Sequence, residues 1–235
     1  MATEKFRAGF LLFPNLTQLD LTGPYEIISA MPDVDVTLLW KTLEPVRAER
    51  GLSILPTETF AACDRLDLLC VPGGTGINAL LGDPEVLLFI RRMARDARYV
   101  TSVCTGSLVL GAAGLLRGRR AACHWMSRHL LAAFDAEPVA ERVVVDGNII
   151  TGGGVTAGID FALRVVAEIH GQAAAEAIQL GVEYAPAPPF DAGTPATASP
   201  DTVARVRERM APMIRERTDL VRRAALRLGQ KTAAA

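Results

Sequence analysis

The stretch YVTSVCTGSLVLGAAG, residues 99–114, decides the fold and holds the main candidate for chemistry. A β-branched segment at 99–103 predicts a strand that leads directly into Cys104, and small residues then begin a helix over 106–113. A residue at such a junction occupies a sharp turn, where small neighbours relieve crowding. Because Cys104 would face the N-terminus of that helix, we expect a lowered thiol pKa and a nucleophilic thiolate. A buried core cysteine is the alternative.

Strands and helices alternate on both sides of this stretch. Apolar runs predict strands at residues 6–13, 34–41 and 66–71, a short hairpin at 45–56, and a second hairpin around Asp146-Gly147. Helices are predicted at residues 23–30, 83–95, 125–134, 156–169 and 172–183. This alternation predicts an α/β fold, with a mostly parallel sheet covered by helices on both faces. Ligands bind such sheets at the carboxyl ends of the strands.

The whole chain, residues 1–235, is predicted to form a single domain. A proline-rich arm at 184–200 contains five prolines, which excludes a helix or a central strand. A final helix is predicted over 200–228, with Ser199 as its cap. Its basic stretch, 205–223, includes acidic residues and is typical of a solvated helix face.

Composition narrows the classes of function. Half of the residues are hydrophobic and 22% are charged, which is typical of a globular protein. The net charge of −1 gives no general electrostatic case for binding nucleic acid or a membrane surface. Four cysteines without a CxxC pair, and three histidines, predict no metal site. Free thiols, no signal peptide and no long apolar run lead us to expect a cytoplasmic protein.

Two further segments are predicted to lie near Cys104. PGGTG, residues 72–76, follows a strand, and its glycines would let backbone amides such as that of Gly74 bind an oxyanion. A plain turn would have the same sequence. Asp20, in TQLDLTGPYE, follows the first strand and could exchange a proton with the thiolate. Asp20 as a helix cap and Glu26 as the acting carboxyl are the alternatives.

Together, the motifs DLTGPYE, VPGG, VCTGS and ACHW resemble the DJ-1/PfpI superfamily, in order, over about residues 6–183. The resemblance implies a flavodoxin-like sandwich, a nucleophile elbow at Cys104 and a homodimer. Thr105 stands where the protease-like branch has a histidine, which argues against proteolysis. Asp20 stands where the DJ-1 and glyoxalase-like branches have a glutamate. This combination resembles the isocyanide hydratase branch.

That branch implies the hydration of organic isocyanides to N-substituted formamides, with no cofactor. Cys104 would attack the isocyanide carbon and Asp20 would deliver a proton, giving a covalent thioimidate. Thr105 and the amides near Gly74 would orient the substrate or stabilise charge.

The sequence also suggests two further residues near Cys104 and two alternative functions. Gly153 and Val155 would approach Cys104 from the glycine-rich turn after the second hairpin. One alternative function is glyoxalase or deglycase chemistry on 2-oxoaldehydes, in which His124 could serve as the base. Another is a non-catalytic sensor whose Cys104 is oxidised to a sulfinate.

Overall fold

A computed structural model describes residues 5–233, with side chains described as far as residue 229. The strands are β1 (Phe6–Leu11), β2 (Val34–Trp40), β3 (Val46–Arg47), β4 (Ser53–Ile54), β5 (Glu58–Thr59), β6 (Leu68–Val71), β7 (Tyr99–Val103), β8 (Arg120–Ala121), β9 (Glu137–Pro138), β10 (Val143–Asp146) and β11 (Ile149–Gly152). The helices are α1 (Gln18–Ser29), α2 (Ile77–Leu80), α3 (Pro84–Asp96), α4 (Gly106–Ala112), α5 (Ala157–His170), α6 (Gln172–Gly181) and α7 (Pro200–Ala233), with a 3-10 helix at Arg128–Phe134.

Seven strands form a central sheet in the order β10-β11-β7-β6-β1-β2-β5. All neighbouring pairs are parallel except β10 with β11, which form the predicted antiparallel hairpin. The helices α1 and α5 pack together, and α3 packs with α4 as a second group. The predicted α/β architecture, a mostly parallel sheet flanked by helices, is therefore confirmed. Strand β6 is buried at every position, because both faces of the sheet are covered.

The register of the sheet brings three loops to one edge. Val71 pairs with Ser102, and Gly152 pairs with Val103, so that β6, β7 and β11 end side by side. The loops that follow these strands carry the segments 72–76 and 153–155 and the residue Cys104. Sequence motifs that are far apart along the chain thus meet at the carboxyl edge of the sheet.

Gly106 explains how closely α4 approaches the sheet. A Cβ atom at this position would lie 2.0 Å from the carbonyl oxygen of Val71 and 2.7 Å from that of Pro72. Only glycine therefore fits at the start of α4, two residues after Cys104. The helix that follows the cysteine packs directly onto the end of β6 for this reason.

The first helix begins earlier than predicted, at Gln18 rather than near Gly23, and Pro24 lies inside it. A proline is most common in the first turn of a helix, which is why the sequence favoured the later start. The burial of Leu21 and Ile28 against the core compensates for the hydrogen bond that Pro24 removes. As a result, Asp20 lies in the first turn of α1 and not before it.

The region predicted as a helix over 125–134 also differs from the prediction. The structure has a 3-10 helix there, and it begins only at Arg128. The carbonyl oxygen of His124 accepts hydrogen bonds from the amides of Ser127 and Arg128, both at 2.9 Å. These contacts fold residues 124–128 as a turn, and the helix starts after it.

The C-terminal part consists of an irregular segment and one long helix. Residues 184–199 contain no helix or strand. The helix α7 starts at Pro200 and extends five residues beyond the predicted end, to Ala233. Ser199 is its cap, since Ser199 Oγ accepts a hydrogen bond from the amide of Thr202 at 3.2 Å.

None of the described helices combines the length and the apolar character needed to cross a membrane.

Candidate active site

Cys104 lies in the turn between β7 and α4 with a positive φ of 57°, a conformation that is uncommon for any residue other than glycine. Its amide donates to the carbonyl oxygens of Gly153 at 2.8 Å and Gly152 at 3.1 Å, and these hydrogen bonds hold the turn. The side chain is 4% exposed. The strained backbone at a strand-to-helix junction is the elbow geometry that the sequence predicts.

Asp20 reaches the same place from the first turn of α1. Its side chain is fully buried, and Oδ2 accepts a hydrogen bond from the amide of Gly73 at 3.0 Å. Oδ1 is also buried and receives no hydrogen bond from a nitrogen or oxygen donor in residues 5–229. The polar side chain that interacts with this carboxylate is the thiol of Cys104. Glu26, the competing carboxyl, is exposed on the same helix.

Burial dominates the protonation of Asp20. Desolvation raises the pKa of its carboxyl to about 7, although contacts with the Cys104 thiol and the Gly73 amide act in the opposite direction. Asp20 can therefore change between its acid and its carboxylate near neutral pH. A group that gains and loses a proton in this range is suited to general acid–base catalysis.

The expectation of a lowered thiol pKa at Cys104 is wrong. Burial raises the pKa of this thiol well above its usual value, and the negative charge of Asp20 raises it further. The amides of Thr105 and Val155 act on the sulfur in the opposite direction, but they do not outweigh the loss of solvation. The helix N-terminus thus does not by itself produce a thiolate. The raised pKa of Cys104 favours the protonated thiol near neutral pH, and the carboxyl of Asp20 is the titratable group beside it.

Thr105 and Gly74 are joined by two contacts. The amide of Gly74 donates to Thr105 Oγ1 at 3.1 Å, and the Thr105 hydroxyl lies 3.3 Å from the Gly74 carbonyl oxygen. The Gly74 amide is therefore not free to bind an oxyanion, contrary to one of the roles expected for it. It anchors the side chain of Thr105 instead. The Gly73 amide is likewise occupied, by Asp20.

The absence of a side chain at Gly73 allows this arrangement. A Cβ atom there would lie 2.6 Å from the Thr105 amide nitrogen and 2.8 Å from Asp20 Oδ2. Both residues thus approach the backbone of the turn after β6 from different elements. Only glycine leaves room for them together.

Gly153 and Val155 also lie where the sequence predicts. Gly153 contributes its carbonyl oxygen to the Cys104 amide, and Val155 contributes an amide to the sulfur. Five residues that the sequence places near Cys104 (Asp20, Gly74, Thr105, Gly153 and Val155) thus lie around its thiol. They come from α1, the turn after β6, the elbow and the loop after β11.

A small cavity of about 90 Å³ opens beside Cys104. Thr105 and Val155 line it near the sulfur, and α7 contributes Met210, Met213 and Ile214. Three of these side chains are long and apolar, so the cavity suits a compact apolar substituent. The sequence predicts the C-terminal helix but does not indicate that it forms a wall of this cavity.

Arg217 is the main residue that the sequence reasoning missed. It is 2% exposed, and its guanidinium donates to Asn78 Oδ1 at 2.9 Å, Ser127 Oγ at 3.0 Å and the Gly74 carbonyl oxygen at 3.1 Å. From the sequence, the basic stretch 205–223 is interpreted as a solvent-exposed face of the helix, and Arg217 lies within it. One feature of the sequence could have indicated its burial. Arg217 is four residues before the apolar Val221 and therefore lies on the same face of the helix, and Val221 is buried.

His124 lines the cavity as well. Burial lowers the pKa of its imidazole to about 4, and the positive charge of Arg217 lowers it further. His124 is therefore neutral and only weakly basic near neutral pH. Nδ1 lies 3.4 Å from the amide of Met126, which donates to it.

Among the described residues, no group of three or more histidine, cysteine, aspartate or glutamate side chains could hold a metal ion.

Comparisons with known proteins show which family the chain belongs to. The sequence profile described as the DJ-1/PfpI family matches residues 6–168. The "Isonitrile hydratase" of Pseudomonas putida is 56% identical over 220 residues, which are 94% of this chain and 96% of that protein. A THiJ/PfpI family protein from Pseudomonas syringae has a solved structure that superimposes with a TM-score of 0.90 at 42% identity, covering 92% of this chain and 90% of that one.

A regulator is also similar over part of its length. The "HTH-type transcriptional regulator GbdR" of Pseudomonas aeruginosa is 32% identical over 178 residues. The match covers 72% of this chain but only 48% of the regulator.

Proposed function

Because this chain belongs to the DJ-1/PfpI family, we propose that its Cys104–Asp20 pair hydrates organic isocyanides to N-substituted formamides. The observation that carries the proposal is a buried thiol beside a buried carboxyl whose pKa is raised to about 7. The high identity to an isonitrile hydratase over nearly the whole chain supports the choice of substrate. The enzyme is a hydro-lyase that works without a cofactor.

The first step forms a covalent intermediate. The terminal carbon of an isocyanide is electrophilic towards a soft sulfur nucleophile. As the sulfur of Cys104 bonds to this carbon, the carboxylate of Asp20 accepts the thiol proton and passes it to the same carbon. The product is a thioimidate in which carbon carries the new hydrogen and remains doubly bonded to nitrogen.

The second step releases the product. Asp20 removes a proton from water, and the oxygen of that water bonds to the thioimidate carbon. Asp20 then passes the proton to the nitrogen. The resulting tetrahedral adduct loses the sulfur of Cys104, its hydroxyl becomes the formamide carbonyl, and the thiol regains a proton. One water molecule is consumed, and Asp20 and Cys104 return to their starting states.

The other residues of the site position this pair. Thr105 and Val155 direct backbone amides at the sulfur, and they stabilise the charge that develops there when the thiol loses its proton. Gly74 anchors the Thr105 side chain, and Gly153 fixes the elbow through the Cys104 amide. These contacts keep the nucleophile in place while the proton moves.

We propose in addition that residues 1–235 act as a single domain, because α7 closes the cavity beside Cys104. A homodimer in the cytoplasm is proposed from the family resemblance. The small-molecule isocyanide is the only partner that the reaction requires.

The similarity to GbdR favours a second candidate, a ligand or redox sensor that does not turn over substrate. In that case peroxide would oxidise Cys104 to a sulfinate. Glyoxalase chemistry with His124 as the base has less support, because the pKa of this imidazole is lowered to about 4.

The test is turnover of para-nitrophenyl isocyanide, followed by the appearance of the formamide. We expect turnover by the wild type and by Cys63→Ala, which removes a buried thiol that does not line the cavity, but none by Cys104→Ala. A wild type that forms no formamide would refute the hydratase. Consumption of methylglyoxal would then favour a glyoxalase, and formation of a sulfinate without turnover would favour a sensor.

A further inference from the structure

Among residues 5–229, the guanidinium of Arg217 is a buried cation without a direct ion pair, and the charges of Glu49 and Glu216 act on it only from beyond ion-pair distance. It is 2% exposed, and its three hydrogen bonds go to neutral oxygens, those of Asn78, Ser127 and Gly74. Within residues 5–229, no carboxylate forms an ion pair with it. Burial of a charge without a direct ion pair is costly, so the place of Arg217 beside the cavity indicates a role there.

The cavity beside Cys104 is where that charge acts. Arg217 and Cys104 both line it, and their charges interact. His124, on the same cavity, is neutral at neutral pH because the pKa of its imidazole is about 4. Arg217 is thus the cation available there, among the described residues, when the sulfur becomes negative.

Arg217 is also linked to the elbow through hydrogen bonds. Its guanidinium fixes the carbonyl oxygen of Gly74, and the amide of Gly74 holds the hydroxyl of Thr105. The Thr105 amide acts on the sulfur of Cys104. One side chain on α7 therefore supports the turn after β6 and, through it, a donor to the nucleophile.

We propose that Arg217 is a positioning residue, which holds the Gly74–Thr105 contact and supplies the positive charge that stabilises the Cys104 thiolate. The proposal rests on the proposed function in taking Cys104 as the nucleophile. The charged and titratable groups that face this thiol or its cavity are Asp20, Glu49, Cys123, His124 and Arg217. Asp20 and Cys123 raise the pKa of the thiol, and the charge of Cys104 raises the pKa of the Arg217 guanidinium.

The test measures the Cys104 thiolate directly and does not depend on isocyanide turnover. The rate of alkylation of Cys104 by iodoacetamide is followed from pH 6 to 10 by mass spectrometry of its peptide. An opposite charge nearby shifts a pKa by about one unit or more, so Arg217→Gln should lower the alkylation rate about tenfold at each pH below the midpoint. Arg217→Lys keeps the charge and should retain the wild-type profile.

Arg227→Gln is the matched control. Arg227 also ties α7 to the body of the protein, through a hydrogen bond to the Leu81 carbonyl oxygen at 3.1 Å, but it does not line the cavity. This variant should alkylate like the wild type. If Arg217→Gln and Arg227→Gln show the same profile, Arg217 acts only by docking the helix and the proposal is overturned.

The Lys variant keeps the proposal testable if Arg217→Gln does not fold. Lysine cannot make the three hydrogen bonds of the guanidinium together, so Arg217→Lys should lower kcat about tenfold with an unshifted alkylation profile. A Lys variant with the wild-type kcat would overturn the positioning role. If the wild type turns over no isocyanide but the alkylation rates differ as expected, the proposed hydratase activity is refuted. The proposed effect of Arg217 on the Cys104 thiolate is then still supported.

Discussion

Gly73 donates its amide to Asp20 Oδ2 at 3.0 Å and thereby ties the turn after β6 to the first turn of α1. The two residues are 53 positions apart in the sequence. Through this bond the carboxyl that faces Cys104 is held by the same turn that holds Thr105. Asp20 and Thr105, the residue that follows Cys104, are therefore positioned by one piece of backbone.

Asp20→Asn should separate two properties of Cys104. The negative charge of Asp20 is one of the causes that raise the pKa of the thiol, so its removal should increase alkylation by iodoacetamide, about tenfold for each unit by which the pKa falls. Turnover should fall by about 10²- to 10⁴-fold, because no group remains to move the proton. Parallel losses of alkylation and turnover would show instead that the substitution disrupts the elbow.

The activity should depend on pH through Asp20. Since its carboxyl has a pKa of about 7 and must be ionised to accept the thiol proton, kcat/KM should rise with pH and reach half of its maximum near pH 7. The measurement is a profile of kcat/KM from pH 5 to 9. Glu26→Gln removes an exposed carboxyl from the same helix and should leave the profile unchanged. A profile that is flat across pH 7 would contradict the role of Asp20.

Stability should change with pH in the opposite sense. The pKa of Asp20 is raised from 3.8 to about 7 in the folded protein, so the folded state holds this proton more tightly than the unfolded state. The resulting stabilisation is complete below pH 3.8 and is lost as the pH rises through about 7. The free energy of unfolding, measured in urea, should therefore fall between pH 4 and 8 by more for the wild type than for Asp20→Asn. Equal slopes for the two proteins would show that the carboxyl is not buried.

Thr105→Val should destabilise the fold through Gly74. Valine has nearly the shape of threonine but leaves the buried Gly74 amide without its acceptor, which costs about 1–3 kcal/mol. Thr105→Ser keeps the hydroxyl and loses one methyl group, at a cost of about 1 kcal/mol. Urea unfolding of the two variants compares these effects. The Gly74–Thr105 contact would be unimportant if the valine variant were the more stable one.

Local features of the sequence predicted the fold and the geometry of the elbow well. The strand, the cysteine and the small residues of 99–114 determine the elbow within a few positions, and its φ of 57° agrees with that interpretation. The start of α1 was misjudged because tertiary packing outweighed the preference of Pro24 for a first turn. Helix starts depend on contacts that no short window of sequence contains.

The electrostatics of the site were harder to predict. The helix N-terminus at Cys104 suggested a lowered pKa, but burial and the charge of Asp20 dominate and raise it. Both effects depend on how the chain folds around the thiol. Arg217 was missed for the same reason, since it lies 113 positions after Cys104 on a helix that could have faced solvent.

Three of the apolar side chains that line the cavity belong to α7, which lies outside the stretch 6–168 that matches the family profile. Met210 and Met213 can therefore be exchanged without altering a single strand of the sheet or any of the residues that hold Cys104. In evolutionary terms, these two positions can vary while the elbow around Cys104 is inherited unchanged. Relatives that share the elbow can therefore differ in the shape of the cavity through two methionine positions on one terminal helix.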